Sequence, residues 1–326
     1  MPNCDPKCPG PGFKTMCGGQ ALIEGIMMRG PKKQSIVVRR PDGGLEIKVE
    51  DLKLIKDRHP VLGWPLIRGV VNFCSSMVNG VRALMYSADF YPEVEGESEE
   101  PSKFERWLEN KLGSEKMMKV VVIFAAVLGI AFSIGLFFLL PTLLGTAVTL
   151  VAPGSMLARN LAENLLKIVI FIGYLALCCR MKELHRVFEY HGAEHKTIFC
   201  YEAGLPLTVE NVRVQPRHHP RCGTSFLFMV IFISIIVSTI FFSIWPVENA
   251  FLRFLAHLVM LPLVVGISYE FNRWAGRHDG PVTRVLRAPG LWLQNFTTFE
   301  PDDSMIEVGI EALKLVLPER AGEDAW

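Results

Sequence analysis

The 326-residue chain has almost no net charge. Lys and Arg number 34 and Asp and Glu 33, which leaves +1 with the histidines neutral. That balance provides no electrostatic footprint for nucleic acid or for a strongly acidic partner. The N-terminus lacks the basic, apolar, small-residue order of a secretory signal. The eight cysteines are scattered rather than patterned, so a disulfide framework is not expected and the thiols are read as reduced, facing the cytosol or lying within a membrane. Cys4, Cys8 and Cys17 could form a small metal knuckle, but residues 1–16, rich in Pro, Gly and Lys, read more simply as a flexible tail. Positive charge is also nearly missing from two inner stretches, 141–160 and 246–252.

Apolar residues make up half of the chain, and they are concentrated in long runs. Crossing a bilayer core takes about 20 of them. Four runs are candidates, at about 120–140, 161–179, 226–245 and 251–269, of which the first and third meet this cleanly. The second carries Glu163 and Lys167 near its start, where a lysine can snorkel to the interface. The fourth is interrupted by Arg253, His257 and Pro262. Residues 142–156 read as a re-entrant piece or an outer loop. Lys and Arg gather in loop 180–224 and again after residue 270. By the positive-inside rule, four spans with both termini in the cytosol of an inner membrane satisfy this asymmetry. The expected class is an α-helical polytopic membrane protein of about four spans, partnered by the lipid bilayer and carrying a small cytosolic N-terminal α+β region.

In that region, segments 35–40 and 45–50 alternate in polarity around Pro41-Asp42-Gly43-Gly44, the signature of a β-hairpin. Pro65 then opens a helical pattern, apolar enough to lie on the membrane or against the spans. Together, 17–90 form the first region and 91–103 an acidic linker. The membrane domain follows at 104–270, introduced by an amphipathic helix with Trp107. Residues 271–326 supply cytosolic amphipathic helices. The last of these starts at a Ser304–Glu307 capping box, with Asp302 and Asp303 favoured by the helix dipole.

The chemistry lies in loop 180–224. The run HGAEHK, residues 191–196, holds H-x-x-E-H, the order seen in inverted zinc proteases. On a helix from 184 to 202, His191 and His195 stand one turn apart, with Glu194 within about 100° of arc. They share a stripe with Leu184, Val187, Phe188 and Ile198, and burying such groups is costly unless they are paired or bound to metal. His191 and His195 are thus candidate ligands of a divalent metal, with zinc the expected ion, and Glu194 a candidate general base. The competing reading is a polar helix face of hydrogen-bonded histidines. Gly192 marks either a close contact or a break in the helix. Further ligand candidates are His218, His219 and Cys222, at the start of the third span, and Glu270, closing the fourth. Arg221 and Glu24 are candidates for other roles, although Glu24 and Arg29 can simply pair.

The stretches from Gly18 to Gly30, HGAEHK, residues 219–225 (HPRCGTS) and residues 297–303 (TTFEPDD) together resemble the YqhQ-like family of bacterial membrane proteins. The similarity covers Cys17 to Leu317 and implies a metal-dependent membrane enzyme. The reading that follows is a hydrolase at the cytosolic face, acting on a peptide or lipid-linked, membrane-associated substrate. A non-catalytic assembly factor or scaffold and a transporter or lipid-handling protein stand as alternatives. Four spans are few for a carrier unless the chain forms an oligomer.

Overall fold

The computed structural model describes residues 13–52, 59–91, 114–151, 155–278, 280–318, 320 and 322–325. The Cys4/Cys8 knuckle, most of the expected tail, the acidic linker at 92–103 and the amphipathic start around Trp107 lie outside the described residues. The chain divides into two compact units. One comprises Met1–Tyr91, Tyr174–Ser234 and Leu261–Trp326, the other Pro92–Gly173 and Ile235–Met260.

The first unit is built on a four-stranded antiparallel meander, β1 (Gly18–Leu22), β2 (Gly25–Arg29), β3 (Lys33–Arg39) and β4 (Leu45–Asp51), in that spatial order. The expected hairpin is the β3–β4 pair, with Gly43 at φ +86° in its turn. The β1–β2 hairpin was not apparent from sequence because its tight turn carries Glu24, not glycine, at φ +49°. Arg186 grips the Glu24 carboxylate and the Tyr190 hydroxyl donates to it at 3.1 Å, which offsets the local strain. Glu24 therefore pairs with Arg186 and not with Arg29.

Side-chain alternation sends the two faces of the sheet to different partners. Ile26, Met28 and Val37 pack on α5 (Lys182–Glu202) and α10 (Asp303–Lys314) through Tyr190, Ala193, Ile198, Met305, Val308 and Leu313. Leu22, Met27, Ile36 and Val38 pack on Ala83 of α1 (Ile67–Ala88). Helix α1 begins two residues beyond Pro65, because Leu66 turns into a left-handed conformation at φ +68°. At the other end of the unit, the cap of α10 is Asp302 and not Ser304. Its carboxylate accepts from the Met305 N–H at 2.9 Å and the Ser304 hydroxyl at 2.6 Å, while Asp303 pairs with Arg213. The last residues of the expected tail are also tied down. Thr15 is buried and donates to Asp324 at 2.5 Å, and Phe13 meets Tyr201 edge-on. Cys17 is buried beside this pair, and burial drives its thiol pKa up to about 12, away from ligand chemistry.

Among the described residues, four helices are long and apolar enough to cross a bilayer: Ile123–Ala147, Ala158–Cys178, Gly223–Ile244 and Ala250–Arg277. The first does not end at residue 140. It runs as α2 (Ser114–Ile134), a π-turn (Gly135–Leu139) and α3 (Leu140–Val151). The proposed loop at 142–151 is thus helical. Pro141 has no N–H and would clash with the carbonyl four residues back, and the wider π-turn relieves this without ending the helix.

Within the second unit, the charges that interrupt the runs are buried together. Arg253 donates to both oxygens of Glu163, at 2.8 and 2.9 Å. Arg159 donates to Thr146 at 2.8 Å, and the Lys167 ammonium stands 3.5 Å from His257 Nε2. Lys167 is 6 % exposed, so it turns inward and does not snorkel. Pairing is the condition on which such groups persist at membrane depth.

Candidate metal centre

Helix α5 spans the whole H-x-x-E-H run without a break. Gly192 is a contact point. A Cβ there would stand 2.0 Å from the Phe299 carbonyl oxygen, so the TTFEPDD segment crosses directly over the helix backbone. That crossing brings the Thr297 carbonyl to His191, whose Nδ1–H donates to it at 2.8 Å. His195 Nδ1–H donates to the Arg217 carbonyl at 2.5 Å. A carbonyl only accepts, so each Nδ1 carries a hydrogen and Nε2 is the ring nitrogen left to face the site. The rings lie 4.3 Å apart, centroid to centroid.

Both Nε2 atoms face Cys222. His191 Nε2 is 3.2 Å from its sulfur, and the His191, His195 and Cys222 donor atoms all lie within 4.8 Å of one another. Cys222 stands directly before α7 (Gly223–Ile244), where the Thr224 N–H and hydroxyl point to its sulfur at 3.5 and 3.3 Å. Helix-end donors favour a thiolate. Burial opposes the Cys222 charge, yet the facing His191 and His195 outweigh it and hold the thiol well below its usual range. Burial likewise opposes a charge on His191, but the Cys222 sulfur, with Glu194 and the Thr297 carbonyl, lifts its pKa to about 9.

Among the described residues, His195 Nε2 and Glu194 Oε2 are buried with no hydrogen-bond partner. Glu194 Oε1 accepts from the Gly19 N–H at 2.9 Å. Burial raises the Glu194 pKa, and His191, His195 and Gly19 offset that only in part. Gly19 is needed for this approach, since a Cβ would stand 2.4 Å from the Met27 carbonyl oxygen and 3.1 Å from the Glu194 carboxyl carbon. The site opens into a cavity of about 370 Å³, lined by Glu194, His195, Cys222 and Arg29 among others.

The remaining candidates take other places. His219 belongs to an adjoining network in which Arg221 grips Glu202 and stands 3.3 Å from His219 Nε2. Burial, aided by neighbouring His195 and Arg221, lowers the His219 pKa to about 4. His218 lies outside the cluster. Burial, then Arg217, lower its pKa. Glu270 is not among the converging groups, because Arg68 of α1 engages both its oxygens. Lys196 points away, to Glu300 at 2.6 Å and the Arg213 carbonyl at 2.9 Å.

Sequence reasoning missed the groups that hold this arrangement. The Gln294 side chain clamps the His219 backbone, accepting from its N–H at 2.7 Å and donating to its carbonyl at 2.8 Å. Gly19, Thr297 and Arg217 act through backbone atoms. Gly19 and Gly192, which lack a Cβ, were the signals of close approach.

A relative from Bacillus subtilis (strain 168), "Uncharacterized protein YqhQ", is 35 % identical over 305 residues, covering 92 % of each chain. No solved structure matches. The family model described as "Protein of unknown function (DUF1385)" matches residues 64–319, and with the YqhQ likeness it places the chain in the DUF1385 family.

Proposed function

We propose that His191, His195 and Cys222 hold a divalent metal, zinc, in a membrane-bound hydrolase, and that Glu194 serves as its general base. The observation that carries this is the pair of imidazoles fixed by backbone carbonyls with their Nε2 atoms turned to one thiol, His195 Nε2 being buried without a partner. Such carbonyl-anchored histidines are the usual outer support of a metal site. Two nitrogens and a sulfur suit zinc, and three protein ligands leave room for a fourth. The ion would supply Lewis acidity and lower the pKa of water.

The protein's own part is proton handling. Gly19 fixes Glu194 through Oε1, which leaves Oε2 free to take a proton from an attacking water and return it to the leaving group. Its raised pKa brings acceptance and release closer to neutral pH. The lysines and arginines of loop 180–224 support a cytosolic orientation for this site.

The test is metal analysis of detergent-purified protein never exposed to chelator. One zinc per chain is expected, lost in His191→Ala, His195→Ala and Cys222→Ser. Folded wild-type protein free of metal would reduce the cluster to a hydrogen-bond network.

A further inference from the structure

A second recess, of about 590 Å³, meets the first at Glu194 and Cys222. Both volumes fall within the ~300–1,000 Å³ of small-ligand pockets. The walls of the second are apolar, formed by Phe73 and Met77 of α1, Val187 and Phe188 of α5, and Phe226 and Leu227 of α7. It opens where α1 meets the ends of two apolar spans. Gly69 of α1 abuts Gly266 and Tyr269 of α8 (Ala250–Arg277), and Phe73 lies 6.0 Å from Phe226. Beyond that contact, one face of α1 carries exposed Met77, Val78, Val81, Leu84 and Met85, with Met77 at 55 %. An exposed apolar face of this kind suits a membrane interface, and a recess beside it would then be reached from the lipid.

The first cavity has the opposite character. It holds Arg29, whose half-buried guanidinium has no carboxylate partner among the described residues and meets only the Ser76 hydroxyl, at 3.5 Å. Burial lowers its pKa, with no neighbouring charge adding to the effect. Arg221, the other arginine there, is already neutralised by Glu202. Ser76 lines both recesses. Among the described residues, a cation without an anion thus stands on one side of Glu194 and Cys222, and an apolar slot on the other.

We propose that the two recesses together bind a phosphate-bearing amphiphile, its hydrocarbon chain in the apolar recess and its phosphate at Arg29. The bond between chain and headgroup then passes Glu194 and Cys222. The proposal rests on the hydrolase reading for its chemistry, though not for its binding. A planar guanidinium matches phosphate oxygens in pairs, and the same group would take free phosphate, so the test separates these sources.

Full-length protein in phosphatidylcholine nanodiscs is titrated with fluorescent phosphatidic acid. Labelled phosphatidylcholine of the same chains serves as control and inorganic phosphate as competitor. Saturable binding of phosphatidic acid is expected, with phosphatidylcholine far weaker and phosphate competing only in large excess. Arg29→Gln should weaken phosphatidic acid roughly tenfold, the loss of one charged hydrogen bond. Val187→Trp, which fills the apolar slot, should abolish binding, with circular dichroism unchanged in both variants. Equal binding of the two lipids, or an indifferent Arg29→Gln, overturns the proposal. Free phosphate displacing the probe as well as phosphatidic acid does, with Val187→Trp harmless, overturns its lipid half. Metal content is read in the same samples. Lipid binding without metal refutes the hydrolase reading alone, and metal without lipid binding refutes this one alone.

Discussion

Replacing Gly192 with alanine tests whether the TTFEPDD segment holds the proposed metal site in register. On an isolated helix this change stabilises by about 1 kcal/mol. Here the new Cβ would stand 2.0 Å from the Phe299 carbonyl oxygen, and that atom is backbone, which no rotamer change can move. The segment must retreat by more than an ångström. It is fastened to α5 by the Phe299 N–H donating to the Phe188 carbonyl at 3.0 Å and by the Thr297 carbonyl accepting from His191 at 2.8 Å. Overpacking costs about 1–3 kcal/mol, and each weakened hydrogen bond about 1 kcal/mol. The helix gain offsets only part of this, so the net is a destabilisation of ~2–4 kcal/mol. Freed from Thr297, His191 loses the partner that fixes its tautomer, and metal affinity should fall roughly 10–100-fold. Hydrogen exchange at residues 297–301 and competitive chelation would measure both effects. Gly173→Ala is the control, because nothing lies within 4 Å of a Cβ there, and it should be neutral or mildly stabilising. Wild-type stability and metal affinity in Gly192→Ala would refute the argument.

Glu194→Gln should keep the metal and the Gly19 hydrogen bond yet lose function in a cell-based complementation assay, since an amide cannot accept a proton at neutral pH. Full function would remove Glu194 from catalysis, and lost metal would make it a ligand. His219 should make stability fall with acid. Its folded pKa of about 4 lies below the ordinary 6.5, so nothing changes above pH 6.5. Between 6.5 and 4 the unfolded state alone takes the proton, and stability drops by up to about 3 kcal/mol. His219→Gln should flatten that fall in denaturant titrations at stepped pH, and an unaltered slope would contradict it. Reporters fused after residue 90, within 203–212 and after 318 should all report cytosol, and a non-cytosolic signal from 203–212 would reverse the orientation.

What was legible in the sequence is what repeats with a period. Four apolar runs, the alternation of 35–50 and the one-turn spacing of His191 and His195 all survive into the fold, because they depend on local geometry alone. The centre itself depends on crossings between distant segments. Cys222 could be named only as one of four further ligand candidates. The fold sets it beside both histidines, whereas Arg68, from a helix 202 residues away, occupies the Glu270 carboxylate. Glu24 was ambiguous because a glutamate at positive φ hides a turn that a glycine would announce. The intramembrane charges were misjudged one at a time. Lys167 alone suggests snorkelling and Arg253 alone suggests a weak span, but each becomes tolerable in the presence of the other's partners, Glu163 and His257. The anchors of the histidines are main-chain carbonyls, to which side-chain identity gives no clue. Gly192 and Gly19 are the exceptions, since a missing Cβ records that another chain must pass close. In this protein both glycines mark the approaches that set the positions of His191 and Glu194.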